Sequence, residues 1–212
     1  FSIATPPTQA LVNSETDTPV FFCAVSAPTA AGILTDMDKP DKNATGTSNA
    51  IPVSKIIDLA QATTPVKKIG LIYSGNEDNA TNTVKQCEEY LKSINVEYVE
   101  KTAASSNDVE TATNALIAEG AEAIFVPNDS IIQDGVSKLT EICNEKKIPT
   151  YCSSATTVAS GCFATLAIDD KGIGKKTVDI AMDYVNGKEV ADIPAQVVGI
   201  DYCSVNKSAM KT

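Results

Sequence analysis

The chain has 212 residues with 17 basic and 27 acidic side chains, a formal charge of −10, and every basic residue is lysine; arginine, histidine and tryptophan are absent. Without histidine there is no Ser-His-Asp or Cys-His catalysis and no imidazole metal ligand, and without arginine no planar fork clamps a phosphate or carboxylate in two bonds. The acidic balance argues against a nucleic-acid partner, whose affinity rests on neutralised phosphates, and no apolar run reaches the ~18 residues that cross a bilayer.

Residues 2–4 read as the tail of a strand, and Thr5-Pro6-Pro7 as a helix cap followed by proline in the first turn. Residues 20–25 are a strand, and the charged, turn-rich stretch 36–43 is a surface loop. From residue 68 onward, short apolar strands alternate with amphipathic helices. Residues 68–73 form a buried strand ending in the turn Ser74-Gly75-Asn76, and Ala80, Val84, Cys87, Leu91 and Ile94 stripe the helix that follows. A strand at 96–99 leads to a helix opened by a capping box of Asn107 and Glu110 and stopped at Gly120. Then come a strand at 123–126, one helix striped by Ile132, Val136, Leu139 and Cys143, and a strand at 148–152. A helical turn near Val158, a strand at 163–168 and a long helix at 173–184 complete the pattern. Strand, helix, strand at this spacing requires right-handed crossovers and a parallel sheet covered on both faces.

Six cysteines, at 23, 87, 143, 152, 162 and 203, include no CxxC pair, so a zinc knuckle or a thioredoxin-type site is not expected. Cys87 and Cys143 fall on apolar helix faces and read as small core residues. Two apparent motifs fail. Residues 172–177 lack the spacing of a phosphate loop, and the sequons at Asn43, Asn79, Asn128 and Asn206 are too short to decide anything.

In an open parallel sheet, ligands bind beyond the carboxyl ends of the strands. The loops there are 5–8, 26–29, 74–79, 102–108, 128–130, 153–157 and 169–172, rich in Ser, Thr, Asn and Asp and poor in lysine. Such a lining suits a small polar ligand carrying an ammonium or hydroxyls. The same residue types are what helix caps and turns demand. Asp129 and Asp169, each directly after a buried strand, are the strongest candidates for meeting a ligand cation.

Several of these segments resemble a known family. Residues 45–53, TGTSNAIPV, are similar to its TGxSDxxPV, residues 73–79 to its YNPSEAN, residues 126–130 to its VPTDN and residues 164–169 to its ATLGID. Ile3-Ala4-Thr5-Pro6 with Gln9 looks like its IATPAAQ. The family is that of ABC transporter substrate-binding proteins, several of which bind aromatic amino acids. The resemblance implies an α/β, type 1 periplasmic-binding fold of two flavodoxin-like, parallel-sheet lobes that close on a ligand, the first lobe incomplete here. Residues 1–50 with helix 169–195 would be partial lobe one, and residues 51–168 with the tail 196–212 would be lobe two.

The resemblance also implies ligand-binding roles for Thr5, Ser26, Ser48, Asn76, Glu77, Asn79, Asp129, Ser153 and Asp169. Thr5 would cap a helix whose amino end holds a ligand carboxylate, in place of the missing arginine. Asp129 would be the first choice for an amino group. Where the family carries an acid, this chain has Ala27, Asn49 and Ser154. The expected function is capture of a small polar ligand, an amino acid with aromatic ones favoured, for an ABC importer whose permease is the partner. The protein would be a monomer, secreted or lipid-anchored outside the cytoplasm, with no cofactor, metal or covalent chemistry. The rivals are a ligand-sensing domain of a transcription regulator with the same fold and, third, an enzyme of the flavodoxin-like class.

Overall fold

The computed structural model describes residues 1–14 and 17–209, which form two compact units. The first holds the described residues of 1–50 and 168–201, the second residues 51–167 and 202–209. In chain order the first unit opens with β1 (Ser2–Ile3), α1 (Thr5–Asn13), β2 (Val20–Cys23) and β3 (Ala44–Ser48). The second supplies α2 (Val53–Thr63), β4 (Lys68–Tyr73), α3 (Asp78–Ser93), β5 (Glu97–Thr102), α4 (Val109–Ala118) and β6 (Ala123–Val126). It continues through α5 (Ser130–Asp134), α6 (Val136–Lys146), β7 (Thr150–Cys152), α7 (Ala155–Ala159) and β8 (Ala164–Ala167). The chain returns to the first unit with α8 (Asp170–Val185) and β9 (Gln196–Val197), and finishes in the second with β10 (Tyr202–Val205).

The second sheet runs β10-β8-β7-β6-β4-β5, parallel throughout except for β10, which pairs antiparallel with β8. Its central strands are apolar on both sides, as a sheet covered on both faces requires. Ile69 and Leu71 of β4 and Ala123 and Phe125 of β6 pack against Ile56 and Ile57 of α2 and Val84, Cys87 and Leu91 of α3. On the opposite face Ile72, Ile124 and Val126 meet Leu116 of α4, Ile132 of α5 and Leu139 and Cys143 of α6. Strand β5, at the edge, is correspondingly polar, and pairs with β4 from Glu97 to Thr102, three residues further than expected.

Two local readings are corrected here. The capping box forms at Ser105 and Asp108, not at Asn107 and Glu110: the Asp108 carboxylate accepts from the Ser105 N–H at 3.0 Å and its hydroxyl at 2.7 Å. The single helix striped by Ile132 to Cys143 is two helices, broken at Gly135. A Cβ at Gly135 would lie 2.7 Å from Val109 Cγ2 and 2.8 Å from the Ser106 carbonyl oxygen, so α4 and the turn before it approach too closely for any other residue.

The first sheet runs β1-β2-β3-β9, all parallel. Phe22, Val25, Ile33, Leu34 and Ala44 fill one side, while Phe21, Ile180, Ala181 and Ile193 build the other beneath α8. Thr47 and Thr177 share a buried 2.6 Å hydroxyl contact that ties α8 to β3. At the outer edge, Phe1 and Ile3 are 73% and 69% exposed. Residues 196–201 stay with the first unit because β9 pairs with β3; the tail joins the second at Tyr202, later than the expected position 196.

All six cysteines are free thiols. Burial pushes Cys87 and Cys143 up to about 12, and burial together with the neighbouring Cys162 thiol raises Cys152 well above the ordinary value of 9.0. The native state therefore keeps protons that an unfolded chain releases above pH 9.0, so this part of its stability falls as pH rises from there towards about 12. In line with this, iodoacetamide at pH ~8 is expected to label exposed Cys203 and spare Cys87 and Cys143 until urea is added, because only the thiolate reacts. Mass spectrometry of the labelled peptides checks it, and equal labelling of Cys87 with and without urea would contradict it.

Candidate functional site

Each unit carries polar loops at the carboxyl ends of its parallel strands, and the residues singled out above fall on them. In the first unit, Ser26 follows β2 and Ser48 ends β3. The Ser26 hydroxyl donates to Asn49 Oδ1 at 3.0 Å, and the Ser48 hydroxyl accepts from the Ala50 N–H at 3.2 Å. Ser26, Ser48 and Asn49 thus form one cluster. Asn49 stands where the resemblance puts an acid, and here its amide oxygen is occupied by a serine.

Thr5 does not cap α1. It is the first helical residue and is buried, while Ala4, at φ 70°, takes the cap position with its N–H on the Cys23 carbonyl. Pro6 and Pro7 follow at once and have no N–H. Of the donors that a helix start ordinarily leaves open, only that of Thr5 remains, so the amino end of α1 is a poor anion seat.

Asp169 is exposed, and its carboxylate caps α8, accepting from the N–H groups of Lys171 and Gly172 at 3.1 Å each. Its own N–H donates to Asp201 Oδ2 at 2.8 Å. Asp169, Lys176 and Asp201 border a cavity of about 280 Å³ within the first unit.

In the second unit the loops after β4 and β6 are stitched together by side chains. Asp129 is 1% exposed and accepts three backbone hydrogen bonds: Ser74 N–H at 2.7 Å on Oδ2, Ile131 and Ile132 N–H at 3.1 and 3.2 Å on Oδ1. Three of the roughly four acceptor sites of this carboxylate therefore serve α5 and the turn after β4. Glu77 reaches across to the Ser130 N–H at 2.9 Å, and Asn79 Nδ2 donates to the Asn128 carbonyl at 2.6 Å. Asn76 is exposed at the tip of the turn, its N–H on the Ser74 hydroxyl at 3.2 Å.

The loop after β7 joins the same edge. The Ser153 N–H donates to the Val126 carbonyl at 3.1 Å, and the Ser153 side chain is half-buried. Ser154 caps α7 by accepting from the Thr157 N–H at 3.3 Å. Sequence reasoning places Ser74, Asn128 and Thr157 on these loops without singling them out, and misses Gln133. Gln133 bridges two loops, donating to Asn128 Oδ1 at 3.4 Å and Thr157 Oγ1 at 3.3 Å. Nothing in its helical stripe signals that, since it falls beside the apolar positions. The arrangement offers hydroxyls, amides and helix ends, with structural carboxylates behind them. It can hold a small polar molecule by hydrogen bonds.

Among known proteins, the family model described as ABC transporter substrate binding protein matches residues 1–212. A tyrosine-binding protein of Clostridioides difficile (strain R20291) is 33% identical over all 212 residues, which span 61% of that relative. The crystal structure of a conserved domain protein from Vibrio cholerae O1 biovar El Tor aligns with TM-score 0.92 and 33% identity, over 99% of this chain and 71% of that one. An ABC domain from Streptococcus pneumoniae, solved in complex with L-Trp, aligns with TM-score 0.91 and 30% identity over the same shares, 99% and 71%.

Proposed function

The chain belongs to the family of ABC transporter substrate binding proteins, and from that premise we propose that it captures an aromatic L-amino acid, tyrosine or tryptophan, for an ABC importer. The fold is that of type 1 periplasmic binding proteins, built from parallel-sheet α/β lobes. Members of this family are extracytoplasmic binding proteins rather than enzymes. No helix among the described residues is long and apolar enough to cross a membrane.

The observation that carries the reading is the likeness, at TM-score 0.91 and 30% identity, to a domain solved with L-Trp. The tyrosine-binding relative, at 33% identity, supports it. In this proposal Asn76, Asn79 and Ser153 of the second unit supply hydroxyls and amides to the ligand. Glu77, Asp129 and Asp169 hold the loops and helix ends in place. The permease of the importer receives the ligand, and a lipid anchor or free secretion keeps the protein outside the cytoplasm. Because binding needs hydrogen bonds and burial alone, no cofactor enters.

Titration calorimetry against amino acids, sugars and nucleosides tests the proposal. Saturable one-site heats are expected with L-tyrosine or L-tryptophan and none with a sugar or nucleoside. Absence of binding by every aromatic amino acid would overturn the ligand assignment.

A further inference from the structure

The helices at the carboxyl edge of the second sheet differ in how their amino ends are satisfied. Asp129 caps α5 and Ser154 caps α7. Helix α3, 16 residues long, has Glu77 at the cap position with extended backbone, and the Glu77 side chain makes no capping bond. It serves the Ser130 N–H instead, at 2.9 Å. The N–H groups of Asn79 and Ala80, in residues 4% and 0% exposed, consequently find no acceptor among the described residues.

Beside these open donors sits an open acceptor. Asn79 Nδ2 donates to the Asn128 carbonyl at 2.6 Å, which fixes the carboxamide's orientation, since a flipped amide would set oxygen against oxygen. Asn79 Oδ1 is then buried with no hydrogen-bond partner, the one such side-chain atom among the described residues. A buried unpaired carbonyl costs about 1–3 kcal/mol, and native proteins keep few of them unless something arrives to fill the bond.

Open N–H donors at the positive end of a helix dipole, next to an open carbonyl acceptor, complement a group that is both anion and donor. An α-amino acid head group is that. Resting on the function proposed above, we infer that the amino end of α3 seats the head group of the ligand, its carboxylate on the Asn79 and Ala80 N–H groups and its ammonium on Asn79 Oδ1. Asn79 is then the residue that selects for an α-amino group, the role the sequence alone suggested for Asp129. Out of reach of bulk water, the ammonium–carbonyl bond is stronger than at the surface.

The test is a cycle between protein and ligand. Calorimetry compares L-tyrosine with 3-(4-hydroxyphenyl)propionate, which lacks the amino group, on the wild type, Asn79→Leu and Asn79→Asp; should L-tryptophan bind more tightly, it and indole-3-propionate replace them. Removing the amino group is expected to weaken wild-type binding about tenfold or more, the range of a charge-assisted hydrogen bond. In Asn79→Leu the amino acid itself should bind about tenfold more weakly, and removing its amino group should cost nothing further. Asn79→Asp keeps an acceptor but sets an oxygen against the Asn128 carbonyl, so it should bind the amino acid more weakly than wild type yet still prefer it to the deaminated acid, which charge repulsion weakens further. Equal losses on deamination in wild type and Asn79→Leu, with Asn79→Asp indistinguishable from wild type, would overturn the inference while leaving the function intact. Failure of the wild type to bind any α-amino acid would overturn the function and the inference with it.

Discussion

Alanine at Gly46 is expected to unfold the first unit while the second stays folded. Gly46 lies in β3 opposite Phe22 of β2, at the centre of the four-stranded sheet. A Cβ there would stand 1.9 Å from the Phe22 carbonyl oxygen and 2.7 Å from its carbonyl carbon and nitrogen. All three are backbone atoms of a paired strand, so no side-chain rotation relieves the clash, and β2 and β3 must separate. Phe22, 0% exposed, and Ala44, 0% exposed, would lose their packing as the strands part. Overpacking a well-ordered core costs ~1–3 kcal/mol where side chains can adjust; here, where backbone must move, the cost lies at the upper end or beyond. Hydrogen exchange read by mass spectrometry should show loss of protection in residues 1–50 and 168–201 and retention in residues 51–167. Unchanged protection in β2 and β3 would refute the argument. The glycine of the TGTS segment is thus explained by strand contact.

That example marks the boundary of what the sequence can disclose. The second sheet was legible because a strand buried on both faces is a continuous apolar run and a covering helix is a stripe: Ala123–Val126 and Lys68–Tyr73 stand where the pattern placed them. The break at Gly135 was not, since Ile132 and Val136 keep the helical period on either side of it, and the neighbour that forces glycine there, Val109 at 2.7 Å from where a Cβ would stand, lies 26 positions away. Likewise Ser105-Asp108 and Asn107-Glu110 both spell a capping pattern, and only the turn geometry chose between them.

The polar edge was legible in composition and opaque in role. Every candidate falls at the carboxyl end of a strand, on the loop there or at the end of an element that flanks it, because the order of elements alone places those positions. What each group does depends on backbone partners that no side-chain pattern reveals. Threonine before Pro6 spells a cap in the sequence, yet Ala4 takes that position and the two prolines strip the helix of the donors an anion would use. Asn79 looked like one of several amides; its distinction, an acceptor left open, follows from the Asn128 carbonyl that fixes its other end.

Asp129 gives the second of the large effects. If it held a ligand ammonium, Asp129→Ala would abolish binding and leave the fold unharmed. The structure requires the reverse order of events. The carboxylate is 1% exposed and is the acceptor for the N–H groups of Ser74, Ile131 and Ile132. Its removal leaves α5 without its cap, a loss of about 0.5–2 kcal/mol, and strands a buried Ser74 N–H at roughly 1–3 kcal/mol more. A total near 3 kcal/mol should lower the thermal midpoint of the second unit by about 10 °C, followed by circular dichroism. Asp129→Asn keeps one oxygen as acceptor and should lose about half as much. Ligand affinity should weaken in both variants in step with the disturbance of the turn at Ser74, because Asn76 and Asn79 follow directly upon it. An Asp129→Ala protein with unchanged midpoint and no binding would show that the carboxylate meets the ligand after all; a lowered midpoint with binding reduced only in proportion would show it to be the knot that holds the edge together.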